Sequence, residues 1–131
     1  MIWSVTMRQK EVDTYTASIY VGIKRRSTGR LIPASVVENI CHDYCDEVGL
    51  CVTVTPTKFI YVGGWGEPGV IVGLINYPRF PSTPGEIRNK AIGLAERISV
   101  VAHQLKISIV FPDKTVMIEN ETEEKSAGVG E

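Results

Sequence analysis

The chain has 131 residues, 44% of them hydrophobic and 22% charged, and a formal net charge of −1. This composition is typical of one globular domain with a single core, and the near-neutral charge gives no overall attraction to DNA or anionic membranes. A local basic patch stays open as an alternative, since Lys24, Arg25, Arg26 and Arg30 fall close together. No apolar run approaches the ~20 residues of a membrane helix, the N-terminus lacks a signal-peptide pattern, and three cysteines without a disulfide-like framework indicate a reducing compartment. We expect a cytoplasmic protein without a membrane or DNA partner.

The first elements predicted along the chain are an arm, a strand and a helix. Residues 1–14 are weakly patterned and are assigned to an N-terminal arm, with a short edge strand as the alternative for residues 1–13. From Tyr15, the segment YTASIYVGIK alternates apolar and polar residues, which predicts a strand with one buried face. The helix in SVVENICHDYCDEVG is predicted to begin with a capping box of Ser35 and Glu38 and to end at Gly49.

The second half of the chain predicts two strands, a helix and two short strands. Pro56 is expected to end or bend the strand in LCVTVT, and KFIYV resumes it before the glycine-rich tip GGWGEPG. The continuously apolar VIVGLIN predicts a central strand. In STPGEI, Thr83 is the predicted cap of the second helix, with Pro84 at its first position and Glu86 at its third. A strand in KISIV and another in TVMIE complete the order.

The order β-α-β-β-α-β predicts an α+β fold, a ferredoxin-like two-layer sandwich with two helices on one face of an antiparallel sheet. The domain is predicted to span residues 15–119, followed by a disordered acidic tail at 120–131. The uncovered sheet face is predicted to be polar and to be solvated, paired in a dimer, or used as the floor of a ligand site, with dimerisation favoured. Its expected residues are Thr16, Ser18, Tyr20, Thr53 and Ser108.

The sequence contains no recognisable catalytic set. Cys41 and Cys45 are one helical turn apart and flank His42, but both coincide with the buried stripe of the first helix, so core packing is favoured over a metal site. His42 and His103 are interpreted as surface residues. Because no nucleophile, zinc or phosphate-loop motif is present, we predict a binding protein that is not an enzyme and has no cofactor.

The loop NYPRFP carries the strongest binding signal. Arg79 and Phe80 stand between two prolines, which lower the cost of presenting both side chains. An aromatic ring can stack on a nucleobase, a guanidinium can pair with phosphate, and the helix start at Thr83 favours an anion. The alternative is that Phe80 staples the helix to the core and Arg79 lies in solvent, and this stretch alone slightly favours that alternative.

Three segments resemble the first family of Thoeris anti-defence proteins of bacteriophages. They are YTASIYVG, DEVGLCVTVTPTKFIYVGGWGEPGVIVGLINYPRFPSTPGEI and ISIVFPDKTVMIE, and together they cover most of residues 15–119. The resemblance implies a non-enzymatic sponge in the cytoplasm of the infected host. It would sequester cyclic ADP-ribose isomers (glycocyclic ADP-ribose) made by TIR-domain proteins, and it would assemble as a homo-oligomer of dimers. Some members also hold cyclic oligonucleotides at a separate site.

The resemblance also implies residue roles. Phe80 would stack on adenine, Arg79 would lie beside it, and Asn89 would contribute from the adjoining helix. Lys58 and Lys106 are the nearest candidates for the basic residues of the family's pocket. Lysine lacks the bidentate fork of the arginines expected there, so the ligand preference stays open.

Two further groups follow from the same resemblance. Asp113 and Thr115, in FPDKT, would bind ribose hydroxyls, and Arg26 would serve the oligonucleotide site or simply be solvated. Two other functions are compatible with the sequence. One is an enzyme that degrades a cyclic nucleotide, using Asp113 or His103 with a metal. The other is a protein-interaction module that uses the open sheet face and Trp65.

Overall fold

A computed structural model describes residues 4–25 and 28–121 of the chain. Its helices and strands are, in chain order, β1 (Thr16–Gly22), α1 (Ala34–Val48), β2 (Val52–Ile60), β3 (Gly66–Ile75), α2 (Pro84–Val101), β4 (Lys106–Val110) and β5 (Thr115–Glu119). Residues 4–15, within or next to the predicted arm, contain no helix or strand. The predicted tail lies outside the described residues from residue 122 onward.

The five strands form one sheet in the order β2-β3-β1-β4-β5, and every neighbouring pair is antiparallel. Both helices pack on the same face of this sheet, and their contacts with it and with each other enclose the core. The predicted α+β ferredoxin-like architecture is therefore confirmed, with β5 as an additional edge strand.

The core sits between the helices and the inward face of the three central strands. The alternation in β1 buries Ala17, Ile19 and Val21, as the sequence predicts. Across the β1–β3 ladder these residues pair with Leu74, Val72 and Val70, which are also buried. The polar residues predicted for the other face alternate with this set and therefore lie on the opposite side of the sheet. Because both helices pack on the first side, this polar face carries no helix.

Helix α1 begins differently from the prediction. Its N-cap is Pro33, at φ −56° and ψ 137°, and no side chain caps the helix. The predicted capping box of Ser35 and Glu38 is therefore wrong, because Ser35 already lies in the first helical turn and lacks the extended backbone of a cap. The predicted stop is confirmed, since Gly49 ends the helix in the left-handed region at φ 70°.

Helix α2 begins as predicted. Thr83 accepts from the Glu86 amide at 3.2 Å, the Glu86 carboxylate accepts from the Thr83 amide at 3.2 Å, and Pro84 occupies the first position. The same contacts hold the pKa of Glu86 below its ordinary value. Val101 is 50% exposed, because the buried side of the helix continues from Ile98 to Ala102, one turn later.

Strand β2 runs unbroken through Pro56. The expectation that this proline ends the strand is wrong for a topological reason. Strand β2 is an edge of the sheet, and no strand pairs with its outer side. A proline, which has no amide hydrogen to donate, is therefore tolerated there.

Candidate functional site

A row of aromatic side chains crosses the helix-free face of the sheet. The rings of Tyr20 and Phe59 meet edge to face with centroids 6.4 Å apart, and those of Phe59 and Tyr61 stack at 6.1 Å. Trp65 lies against Tyr61 at 4.3 Å. Aromatic pairs at these separations stabilise one another beyond their buried area. The row therefore forms a wall from β1 to the β2–β3 turn.

Glycines in the central strands make room for this wall. A Cβ added at Gly69 would overlap the ring of Phe59, so the ring lies directly over that glycine. A Cβ at Gly22 would come within 2.7 Å of a carboxylate oxygen of Glu67. The missing side chains thus allow Phe59 and Glu67 to lie flat on the sheet.

The turn between β2 and β3 places Tyr61 and Trp65 side by side. The Tyr61 amide donates to the Trp65 carbonyl at 2.8 Å. Between them, Gly63 and Gly64 have φ angles of 98° and 83°, a conformation that other residues rarely adopt. The glycines predicted to form a hairpin tip therefore close a tight turn and hold two aromatic side chains together.

Tyr61 and Glu67 form the polar centre of the site. The Tyr61 hydroxyl donates to Glu67 Oε1 at 2.7 Å. Burial raises the pKa of Tyr61 to about 12, and the hydrogen bond to the Glu67 carboxylate and its negative charge act in the same direction. Tyr61 is therefore a protonated donor at neutral pH, and Glu67 has a second oxygen available to a ligand.

These residues line one side of a cavity of about 670 Å³. A volume of this size is within the range of small-molecule sites. The rest of the lining is basic and amide-bearing. The complete lining is Lys24, Tyr61, Trp65, Glu67, His103, Gln104, Leu105 and Lys106.

The turn after α2 builds the floor of the cavity. His103 has a φ angle of 54°, in the left-handed region where helices commonly end. The Gln104 amide donates back to the Ser99 carbonyl at 3.0 Å, and the Ser99 hydroxyl donates to the Gln104 carbonyl at 2.6 Å. The Gln104 side-chain amide also approaches the Lys24 carbonyl at 3.4 Å, which links the end of β1 to the end of α2.

The predicted loop residues lie at the other end of the sheet. Phe80 is 55% exposed and lies outside the core, so it does not staple α2. The Arg79 guanidinium lies 5.4 Å above the Phe80 ring. Asn76 fastens the loop, because its Oδ1 accepts from the Ser82 amide at 2.9 Å. Asn89 is exposed on α2 nearby.

The β4–β5 turn is at this same end. The Arg88 guanidinium, next to Asn89 on α2, lies 4.8 Å above the ring of Phe111, which begins the turn. Asp113 and Thr115 follow it and are exposed. Five predicted ligand residues therefore share one end of the molecule.

The basic residues predicted for the same pocket lie elsewhere. Lys106 opens β4 on the helix-free face, four residue steps from the end of that strand, which is about 13 Å. Lys58 lies on the edge strand β2, and its alternation with Val54 turns it toward the helix side of the sheet. Arg26 lies outside the described residues. The structure brings Lys106 together with Tyr61 and Glu67, not with Phe80.

The cysteines lie in a different region. Cys41 is buried in the core, as predicted, and burial raises the pKa of its thiol to about 11. Cys45 is half-buried and Cys51 is exposed. Within residues 4–25 and 28–121, no group of three or more histidine, cysteine or acidic side chains is placed to hold a metal ion. Neither helix in this part of the chain is both long and apolar enough to cross a membrane.

Comparison with known proteins yields structural matches alone. No family model and no curated protein matches the chain. It is similar to the structure of a phage SAM lyase in complex with S-methyl-5′-thioadenosine, with 14% identity and a TM-score of 0.71 over 89% of this chain and 98% of that chain. The apo state of a phage SAM lyase matches with 14% identity and a TM-score of 0.73, over 88% and 98% of the two chains.

These matches establish a shared fold and change the functional interpretation. The prediction that the chain is not an enzyme is wrong on this finding, because both matching structures are of an enzyme, a lyase. The coarser predictions fit, since the matching proteins come from phage and one holds a nucleoside-derived small molecule. Neither match involves a Thoeris protein, a cyclic ADP-ribose isomer or an oligomer.

Sequence reasoning missed the pair of Tyr61 and Glu67 at the centre of this cavity. Tyr61 and Glu67 match no motif, because they come from opposite sides of a turn and meet only when the strands pair. One signal was present. In YVGGWGE, two glycines in the left-handed region close the hairpin, which places Tyr61 opposite Trp65 and brings Glu67 back to the same face. His103, interpreted as a surface residue, is half-buried in the cavity lining.

Proposed function

We propose that this chain is a lyase that cleaves a sulfonium nucleoside of the S-adenosylmethionine type and releases S-methyl-5′-thioadenosine. The reaction would take place in the cavity of Tyr61, Trp65 and Glu67. The observation that carries the proposal is the hydrogen-bonded pair of Tyr61 and Glu67 beside an aromatic wall, in a fold shared with a SAM lyase.

The charges of the cavity suit such a substrate. S-adenosylmethionine carries a sulfonium and an ammonium group, which a carboxylate attracts, and Glu67 is the acidic residue of the lining. The faces of Tyr61 and Trp65 attract cations through their π-electrons and also stack on adenine, which is worth about 1–3 kcal/mol per base in nucleic-acid complexes.

The chemistry requires little from the protein. When the bond between sulfur and the amino-acid carbon breaks, its electron pair stays on sulfur. Because a lyase adds no water, that carbon would form its new bond to the substrate's own carboxylate oxygen, which closes a lactone ring and leaves no charge unaccounted for. The positive charge on sulfur disappears in this step. Glu67, fixed by the Tyr61 hydroxyl, would orient the substrate.

The direct test is incubation of the purified protein with S-adenosylmethionine and chromatography of the products. We expect S-methyl-5′-thioadenosine from the unchanged protein and at least a tenfold lower rate from Glu67→Gln, which keeps the shape and removes the charge. Tyr61→Phe should be slowed less, because it keeps the ring. Phe80→Ala, at the other end of the sheet, is the matched control and should retain full activity. Absence of this product from the folded, unchanged protein overturns the proposal.

A second candidate function belongs to the Arg79–Phe80 loop. The exposed Phe80 ring with the Arg79 guanidinium above it favours binding of a cyclic ADP-ribose isomer there. Calorimetry with glycocyclic ADP-ribose tests it. Binding should be lost in Phe80→Ala and kept in Glu67→Gln, and the reverse pattern or no binding excludes the loop. Sedimentation of the same samples tests the dimers and larger oligomers that the resemblance implies.

A further inference from the structure

The cavity has charges of both signs on its sheet side. Lys24 follows β1, Glu67 lies near the start of β3, and Lys106 opens β4. These strands are neighbours, with β1 between the other two. All three residues lie on the helix-free face. Lys24 and Glu67 are each two residues beyond the Gly22–Gly69 pair, which alternates with buried Val21 and Val70, and Lys106 precedes buried Ile107.

The strand registers show how close these charges are. Gly22 pairs with Gly69, and two further residues along each strand bring Lys24 opposite Glu67. The Ile23 amide donates to the Pro68 carbonyl at 3.2 Å, so the ladder continues to this point. Neighbouring strands are about 4.8 Å apart. The two charges therefore stand on adjacent strands.

Lys106 lies on the other side of the same strand. Tyr20 pairs with Ser108, and continuing that register brings Gly22 beside Lys106. The Glu67 carboxylate covers Gly22 at 2.7 Å from the position of a Cβ. The Glu67 carboxylate thus lies over a residue whose neighbours on the same face are Lys24 and Lys106. Within the described part of the chain, neither lysine forms an ion pair with it within 4.0 Å.

We infer that Lys24, Lys106 and Glu67 form a subsite for the α-amino-acid group of the substrate, with its carboxylate on the lysines and its ammonium on Glu67. The inference rests on the proposed function and specifies which part of the substrate this wall recognises. An α-amino acid carries its two opposite charges on one carbon, and the subsite presents opposite charges on adjacent strands. Glu119 stands opposite Lys106 on β5, but it is exposed, so water screens its charge.

Two ligands separate this subsite from the nucleoside subsite. S-adenosylhomocysteine carries the amino-acid group on a neutral sulfur, so it lacks the sulfonium that the proposed reaction cleaves. S-methyl-5′-thioadenosine has the same nucleoside and a thioether sulfur but lacks the amino-acid group. In the double variant Lys24→Met/Lys106→Met, we expect the Kd for S-adenosylhomocysteine to rise at least tenfold. The Kd for S-methyl-5′-thioadenosine should stay within twofold.

The control is Lys58→Met, which removes the same charge from the far side of the sheet and should leave both Kd values unchanged. Calorimetry at one fixed ionic strength measures all of them. If the unchanged protein cleaves S-adenosylmethionine but the double variant loses both ligands equally, or neither, the lyase proposal stands and the subsite is overturned. If the unchanged protein binds neither ligand and forms no product, the proposed function itself fails.

Discussion

Replacing Gly69 by alanine tests whether the aromatic wall depends on an empty position in the sheet. The new Cβ would overlap the Phe59 ring and lie 2.5 Å from the Val21 carbonyl oxygen. The ring cannot retreat without leaving its contacts with Tyr20 and Tyr61. The carbonyl is part of the β1–β3 ladder, so relief there requires the strands to separate.

The magnitude follows from these two conflicts. Overpacking of a well-packed position costs about 1–3 kcal/mol. Each aromatic contact that is lost adds about 0.5–1.5 kcal/mol. We therefore expect Gly69→Ala to lower the free energy of unfolding by about 2–4 kcal/mol. With a urea slope near 2 kcal/mol/M, the midpoint of unfolding should fall by about 1–2 M.

Gly73 provides a matched control on the same strand and face. A Cβ there would meet one atom, the Thr53 hydroxyl oxygen at 2.7 Å, and that side chain can rotate away. Alanine also restricts the unfolded chain, which stabilises by about 0.4–1 kcal/mol. Gly73→Ala should therefore change stability by less than about 1 kcal/mol. Equal urea midpoints for the two variants would refute the reasoning that the Phe59 ring needs a residue without a side chain at position 69.

Three further predictions concern other named contacts. Thr83→Ala should lower the free energy of unfolding by about 1 kcal/mol through loss of the α2 cap, whereas Ser35→Ala, at a helix without a side-chain cap, should be nearly neutral in the same urea titration. Unfolded Tyr61 loses its proton near pH 10 but folded Tyr61 near pH 12, so the contribution of Tyr61 to stability falls as the pH rises across that interval. The urea midpoint of Tyr61→Phe should therefore fall less across that interval than the midpoint of the unchanged protein. Parallel curves for the two proteins would contradict this. An aromatic disulfide reagent should modify exposed Cys51 within the first kinetic phase and Cys41 only slowly, because burial both covers the Cys41 thiol and raises its pKa to about 11; a single fast phase for both thiols would contradict this.

The fold was predictable because its signals are local. Alternation in β1, the capping box at Thr83 and the left-handed stop at Gly49 each depend on residues close together in the sequence. The errors have a common origin in context. The residues around Pro33 do not indicate that it is the N-cap of α1. Those around Pro56 do not indicate that β2 is an edge strand, which can accommodate a proline.

The candidate site was less predictable, because it is assembled by pairing. The Arg79–Phe80 loop is recognisable as a binding candidate because both residues are adjacent in the sequence. The Arg79 guanidinium does lie above the Phe80 ring. Tyr61 and Glu67 acquire a role only through the turn between them. Lys106 was selected for a pocket with Phe80, but the sheet places it beside Glu67.

The glycines explain most clearly why a site of this kind escapes sequence reasoning. A glycine within a strand is usually interpreted as a bulge or a break. Here Gly22 and Gly69 pair regularly in the β1–β3 ladder. Because they have no side chains, Glu67 can lie over Gly22 and Phe59 over Gly69. Glu67 lies flat over Gly22, and from there its carboxylate receives the Tyr61 hydroxyl. A larger residue at position 22 would displace the carboxylate without touching the core, so this glycine belongs to the site although it contributes no functional group.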